Sequence, residues 1–98
     1  MKTRCTWNEA KRQGNLAKHG LDFADAVWVL DNRFRLDVES WRGDERRVQS
    51  FAYVAERLTV LSVAYLPGKH PHIISFRPAS RDEREAYHDW LENEFSDP

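Results

Sequence analysis

A histidine, an arginine and a tyrosine stand in two dense blocks of this 98-residue chain, and their side chains together suit work on a phosphodiester. The first block reads Trp7-Asn8-Glu9-Ala10-Lys11, Asn15, Lys18-His19-Gly20, Phe23, Ala26; the second reads Ile73-Ile74-Ser75-Phe76-Arg77, Ala79, Arg81, Glu83, Tyr87. His19 is of the type that titrates near neutrality and moves protons. Arg77 offers a planar fork that matches phosphate. Tyr87 has a phenol that can orient or protonate a leaving oxygen, or stack on a base. Lys11, Lys18, Arg46, Arg81 and Arg84 are candidates for holding a nucleic-acid backbone. RNA fits this set better than DNA, because its own 2′-hydroxyl can attack the adjacent phosphorus. The protein then needs a base, an acid and positive charge where the oxygens become more negative.

Each of these residues also has a plain structural reading. His19 can satisfy carbonyls at a helix end. Exposed lysines are usually only solvated. Arg77 can form a salt bridge to Glu83 or Glu45, and Tyr87 can be a core tyrosine with a satisfied hydroxyl. Glu45, beside Arg46, reads as an ion-pair partner more readily than as a base. His70-x-His72 lies between prolines in a turn with no acid or cysteine at ligand spacing, so no metal site is expected. There is no phosphate-binding glycine loop and no nucleophilic serine motif, and no cofactor is expected.

The elements that must position these residues follow from local pattern. Asn8 is an N-cap for a helix over residues 9–18, interrupted by Gly14 and stopped by Gly20 at a left-handed C′ position. Asp22 caps a second helix that presents Phe23, Ala26, Val27 and Leu30 on one face and ends at Asp31-Asn32. Residues 34–39 alternate as a half-buried strand, 41–45 form a turn, and 47–54 form a second strand. Residues 58–65 are the strongest strand and belong inside the sheet. A proline- and glycine-marked loop over 66–71 leads to a fourth strand at 73–77, which Pro78 ends. Ser80 and Glu83 form a capping box for a last helix with an apolar stripe of Tyr87, Trp90, Leu91 and Phe95. The expected fold is α+β in the order ααββββα: two N-terminal helices, a four-stranded antiparallel sheet and a C-terminal helix, in one domain over residues 1–98.

Composition bounds the rest. The 41% hydrophobic and 12% aromatic content of the chain supports one packed core. The start, Met1-Lys2-Thr3-Arg4-Cys5, lacks a signal-peptide pattern, and the lone Cys5 cannot pair internally, so the cytoplasm is the expected compartment. Net charge is −1 but segregated: residues 1–20 carry +4, 21–45 carry −4, 46–84 carry +4 and 85–98 carry −5. Two basic stretches are therefore available to converge into an anion-binding face.

The two blocks, taken in order over nearly the whole chain, resemble the BrnT toxins of type II toxin–antitoxin systems. That resemblance implies a RelE-like ribonuclease fold, growth inhibition through cleavage of RNA needed for translation, and a BrnA-like antitoxin with a ribbon–helix–helix DNA-binding domain. A toxin–antitoxin heterotetramer is the expected assembly, with DNA reached only through the antitoxin and no membrane involved. The chain departs from the family's usual pattern at Arg47, at Pro71-His72 and at Phe76. Those departures, with the acidic net balance, motivate a second reading, a catalytically silent module that acts as antitoxin partner and co-repressor.

Overall fold

The computed structural model describes residues 3–95. Strand β1 (Thr6–Trp7) leads into helix α1 (Glu9–His19). The Asn8 side chain accepts a hydrogen bond from the Lys11 N–H at 3.1 Å, as an N-cap should. Gly20 ends the helix at φ 69°, and its N–H donates to the Leu16 carbonyl at 2.8 Å. Any residue with a Cβ would be strained there.

Asp22 caps the next segment, accepting from the Ala24 N–H at 2.9 Å. The segment is shorter and tighter than expected. A 3₁₀ turn (Phe23–Ala26) comes first, and helix α2 (Val27–Leu30) is a single turn. The Asp25 N–H bonds back to the Asp22 carbonyl at 2.8 Å, and this three-residue spacing lets Phe23 and Ala26 both bury completely.

The sheet corrects the four-strand antiparallel expectation. It has five strands in the order β1-β5-β4-β3-β2 and is mixed. β2 (Leu36–Arg42), β3 (Glu45–Val54), β4 (Thr59–Leu66) and β5 (His72–Pro78) form the antiparallel meander. β1 adds to β5 in parallel, Thr6 opposite His72 and Trp7 opposite Ile73. A two-residue strand leaves no periodicity in a sequence, and only its partner shows it. β4 lies between β5 and β3, as its apolar run requires. The β2–β3 turn is only Gly43-Asp44, with Gly43 at φ 60°, so both strands extend further than their alternation suggested.

Both faces of the central strands are covered, while β2 is largely exposed beyond Leu36. On one, Phe23, Val29, Leu61, Val63, Tyr65 and Phe76 pack together beneath the 3₁₀ turn and α2. On the other, Phe51, Val60, Ala79 and Tyr87 pack with Leu36, Trp90 and Leu91 beneath α3 (Arg81–Phe95). Successive β4 residues alternate between these two cores, which separates the functional candidates as well. The capping box of α3 forms as expected: the Ser80 N–H donates to Glu83 Oε1 at 2.8 Å and the Glu83 N–H donates to Ser80 Oγ at 3.2 Å. The side chain of Phe95, the last member of the expected stripe, lies outside the described residues.

Candidate active site

Arg77 stands opposite Ser62 in the β5–β4 register, on the face that carries α3. Its guanidinium makes a two-pronged pair with Glu83, Nη1 to Oε1 at 2.8 Å and Nη2 to Oε2 at 2.9 Å, and also donates to the Pro78 carbonyl at 3.1 Å. Gln49 joins this group, its Nε2 donating to Ser62 Oγ at 2.9 Å and to Glu83 Oε2 at 3.2 Å. The Arg77 hydrogen bonds are the first cause that holds the Glu83 carboxyl down at about 2, and the Arg77 pKa is raised in return. Of the two acids considered as partners for Arg77, Glu83 is the one engaged; Glu45 pairs with Arg47 at 3.0 Å instead of Arg46. Beside this cluster a groove of about 290 Å³ opens between β2–β3 and α3, lined by Leu36, Val38, Gln49, Phe51, Asp82 and Glu83.

Tyr87 shares that face but not the surface. It is 1% exposed, and its hydroxyl donates to the Phe34 carbonyl at 2.7 Å. Its ring lies against Trp90 at a centroid distance of 5.8 Å. The phenol therefore anchors α3 to the chain entering β2, and a substrate cannot reach it in this arrangement.

His19 is on the other side of the sheet. It lines a small pocket of about 140 Å³ with Leu21, Arg57, Thr59, Leu61 and Pro78. Leu61 and Ser62 are consecutive on β4 and face opposite ways, so His19 beside Leu61 and Arg77 opposite Ser62 flank the same end of β5 from two faces. The structure thus does not gather His19, Arg77 and Tyr87 on one concave surface. Arg57 donates to the Gly20 carbonyl at 2.8 Å and places its guanidinium carbon 6.0 Å from the centre of the Trp28 ring, which fixes a cation close to His19.

The other cations are dispersed. Lys11 and Lys18 are exposed on α1. Arg46 pairs with Glu39 on β2, Arg81 pairs with Glu85 at 3.5 Å, and Arg84 donates to the Ala79 carbonyl at 3.1 Å. Arg81 and Arg84 belong to α3 on one face, whereas α1 runs along β5 beside the 3₁₀ turn of the opposite core. The two basic stretches therefore do not merge into one patch. His72 places Nδ1 2.9 Å from Thr6 Oγ1 across the β1–β5 pair.

Two arrangements lay beyond the sequence reading. Asn15 donates to the carbonyls of Leu21 at 3.0 Å and Phe76 at 2.7 Å, and accepts from the Phe76 N–H at 3.2 Å. It ties α1 to β5, and its place in the first block was the only signal. The second is a chain of polar groups that runs from the α2-side core to the surface: Tyr65 Oη lies 2.8 Å from Ser50 Oγ, both buried, and Ser50 Oγ lies 2.6 Å from Oδ1 of the exposed Asp37. In the sequence Ser50 and Tyr65 look like ordinary inward positions of alternating strands, so nothing marked them.

The family model described as "Ribonuclease toxin, BrnT, of type II toxin-antitoxin system" matches residues 7–83, from β1 into the first turn of α3. Comparison with curated proteins gives no match. No described helix is long and apolar enough to cross a membrane.

Proposed function

Because this chain belongs to the BrnT family of type II toxin–antitoxin ribonuclease toxins, we propose that it cleaves RNA without a metal, by attack of the RNA's own 2′-hydroxyl, and thereby blocks translation. We further propose that a BrnA-like ribbon–helix–helix antitoxin neutralises it in a heterotetramer. The family match carries this reading, since it runs through both the His19 block and the Arg77–Glu83 cluster.

In this reading Arg77 meets the phosphate. Its guanidinium already presents two parallel donors to a carboxylate, and a phosphate can replace that carboxylate with the same geometry. The 2′-oxygen bonds to phosphorus as its proton passes to water, the bond to the 5′-oxygen breaks as that oxygen takes a proton from water, and Arg77 stabilises the charge that grows on the phosphate oxygens meanwhile. His19 and Arg57 offer a proton-transfer group and a cation at the same end of β5, on the far face. Tyr87 acts from the core, by holding α3 and hence Glu83 in place.

The silent-module reading is favoured by two observations: Arg77 is neutralised by Glu83 and Tyr87 is buried. Purified protein incubated with RNA in excess EDTA separates the two. Cleavage that falls with Arg77→Ala while the fold persists supports the enzyme. Intact RNA at high protein concentration, with antitoxin binding retained, supports the module.

A further inference from the structure

A second cavity lies on the face away from Arg77. It measures about 290 Å³, near the lower end of the roughly 300–1,000 Å³ usual for small-ligand sites, and Thr3, Arg35, Tyr65, Gly68, Lys69 and Pro71 line it. Two cations and one phenol make its chemistry, and the hydrogen-bond chain behind the phenol restricts what can bind.

Ser50 is wholly buried and has one hydroxyl hydrogen, which it donates to Asp37 Oδ1 at 2.6 Å. The Asp37 carboxylate is in turn held by Arg35, Nε to Oδ1 at 2.9 Å. Ser50 can then only accept in its 2.8 Å contact with Tyr65, so the Tyr65 hydroxyl must donate there. That uses the only hydrogen on Tyr65 Oη and leaves the oxygen an acceptor. A backbone phosphodiester offers only acceptors and gains nothing from it. A ligand that uses Tyr65 must bring a donor.

The cations require that this donor stand next to an anion. Arg35 engages Leu30 O at 2.5 Å and Asp37, which leaves two of its five N–H groups. Lys69 is exposed and makes no ion pair among the described residues. A hydroxyl adjacent to a phosphate is the mark of a ribose carrying a 3′-phosphate, and it is the feature that separates RNA from DNA. We propose that this cavity binds a ribose 3′-phosphate unit of RNA, with Lys69 and Arg35 meeting the phosphate and Tyr65 accepting a hydrogen bond from the 2′-hydroxyl. The site extends the ribonuclease reading by a second RNA contact. It does not require that the bond be cut here.

The test is an NMR titration of the whole chain with uridine 3′-monophosphate, its 2′-deoxy counterpart and inorganic phosphate. None of these has a phosphodiester to cleave, so the result is separate from the success or failure of the ribonuclease reading. The ribonucleotide should perturb the amides of Ser50, Tyr65, Gly68 and Lys69 and bind roughly tenfold more tightly than the deoxynucleotide, the worth of one good hydrogen bond. Tyr65→Phe should erase that difference with deoxynucleotide affinity unchanged, and Lys69→Gln should weaken both alike. A 2′-O-methyl nucleotide, which lacks the donor, should behave like the deoxy form in the unaltered protein; this arm holds even if Tyr65→Phe fails to fold. A short RNA should displace the ribonucleotide. Equal binding of the two nucleotides, perturbations centred on Arg77 and Glu83, or a nucleotide that RNA does not displace would each overturn the proposal.

Discussion

Glu83 grips Arg77 with both carboxylate oxygens, at 2.8 and 2.9 Å, while Oε1 also accepts from the Ser80 N–H at 2.8 Å. One acid therefore starts α3 and sets the two-pronged guanidinium–carboxylate pair proposed above for phosphate. The two tasks can be separated by mutation. Glutamine also serves at the fourth position of a capping box, so Glu83→Gln should preserve the start of α3 while releasing Arg77. RNA cleavage by Glu83→Gln should be equal to or faster than that of the parent. Arg77→Ala should cleave about 10²–10³-fold more slowly, judged from the loss of one charge-stabilising donor. Initial rates on a short labelled RNA measure both. A Glu83→Gln protein as slow as Arg77→Ala would make the carboxylate itself part of the chemistry.

The same pair sets an acid limit on stability. The Glu83 pKa is lowered from 4.5 to about 2, chiefly by Arg77. A group depressed on folding stabilises fully above its unfolded value and loses that contribution as pH falls through the folded one. The loss should therefore run from about pH 4.5 down to about pH 2. Both side chains are partly exposed, so solvent screening reduces the contribution to about 1 kcal/mol. Thermal melts across this range should show a drop in the parent that is smaller in Glu83→Gln; parallel curves would refute the assignment.

Tyr87→Phe should affect stability and leave chemistry alone. The ring packing is kept and only the bond to the Phe34 carbonyl is lost, at a cost of about 1–2 kcal/mol. Denaturant unfolding gives the cost, and cleavage assayed well below the melting temperature should match the parent. A large rate loss in the folded variant would mean that the phenol reaches substrate after a rearrangement of α3.

Asn15 should be among the least replaceable polar residues. Alanine removes three hydrogen bonds, two that join α1 to β5 at Phe76 and one that holds the Leu21 carbonyl after α1, at about 2–3 kcal/mol. Aspartate should be worse. It can still accept from the Phe76 N–H, but it sets a carboxylate against the Leu21 and Phe76 carbonyls. The order parent, Ala, Asp in urea midpoint is the measurement, and Asp equal to or above Ala would contradict the donor assignment.

Much of this molecule was legible from local pattern, because caps and alternation are decided within a few residues. Asn8, Gly20, Asp22 and the Ser80–Glu83 box each act over one turn of chain, and each stands where the sequence put it. The apolar run of β4 required cover on both faces and received it. The family, too, was written in the two blocks. Pairing between distant segments was not legible. β1 exists only because Thr6 and Trp7 meet His72 and Ile73, and two residues carry no period of their own. The placement of the chemical groups belonged to tertiary structure as well. Strand parity put His19 beside Leu61 and Arg77 opposite Ser62, on opposite faces. Core packing took Tyr87 out of solvent. The register of β2, β3 and β4 aligned Asp37, Ser50 and Tyr65 into one hydrogen-bonded line. Sequence names the residue types a reaction needs, but which of them share a face depends on the parity and register of strands far apart in the chain.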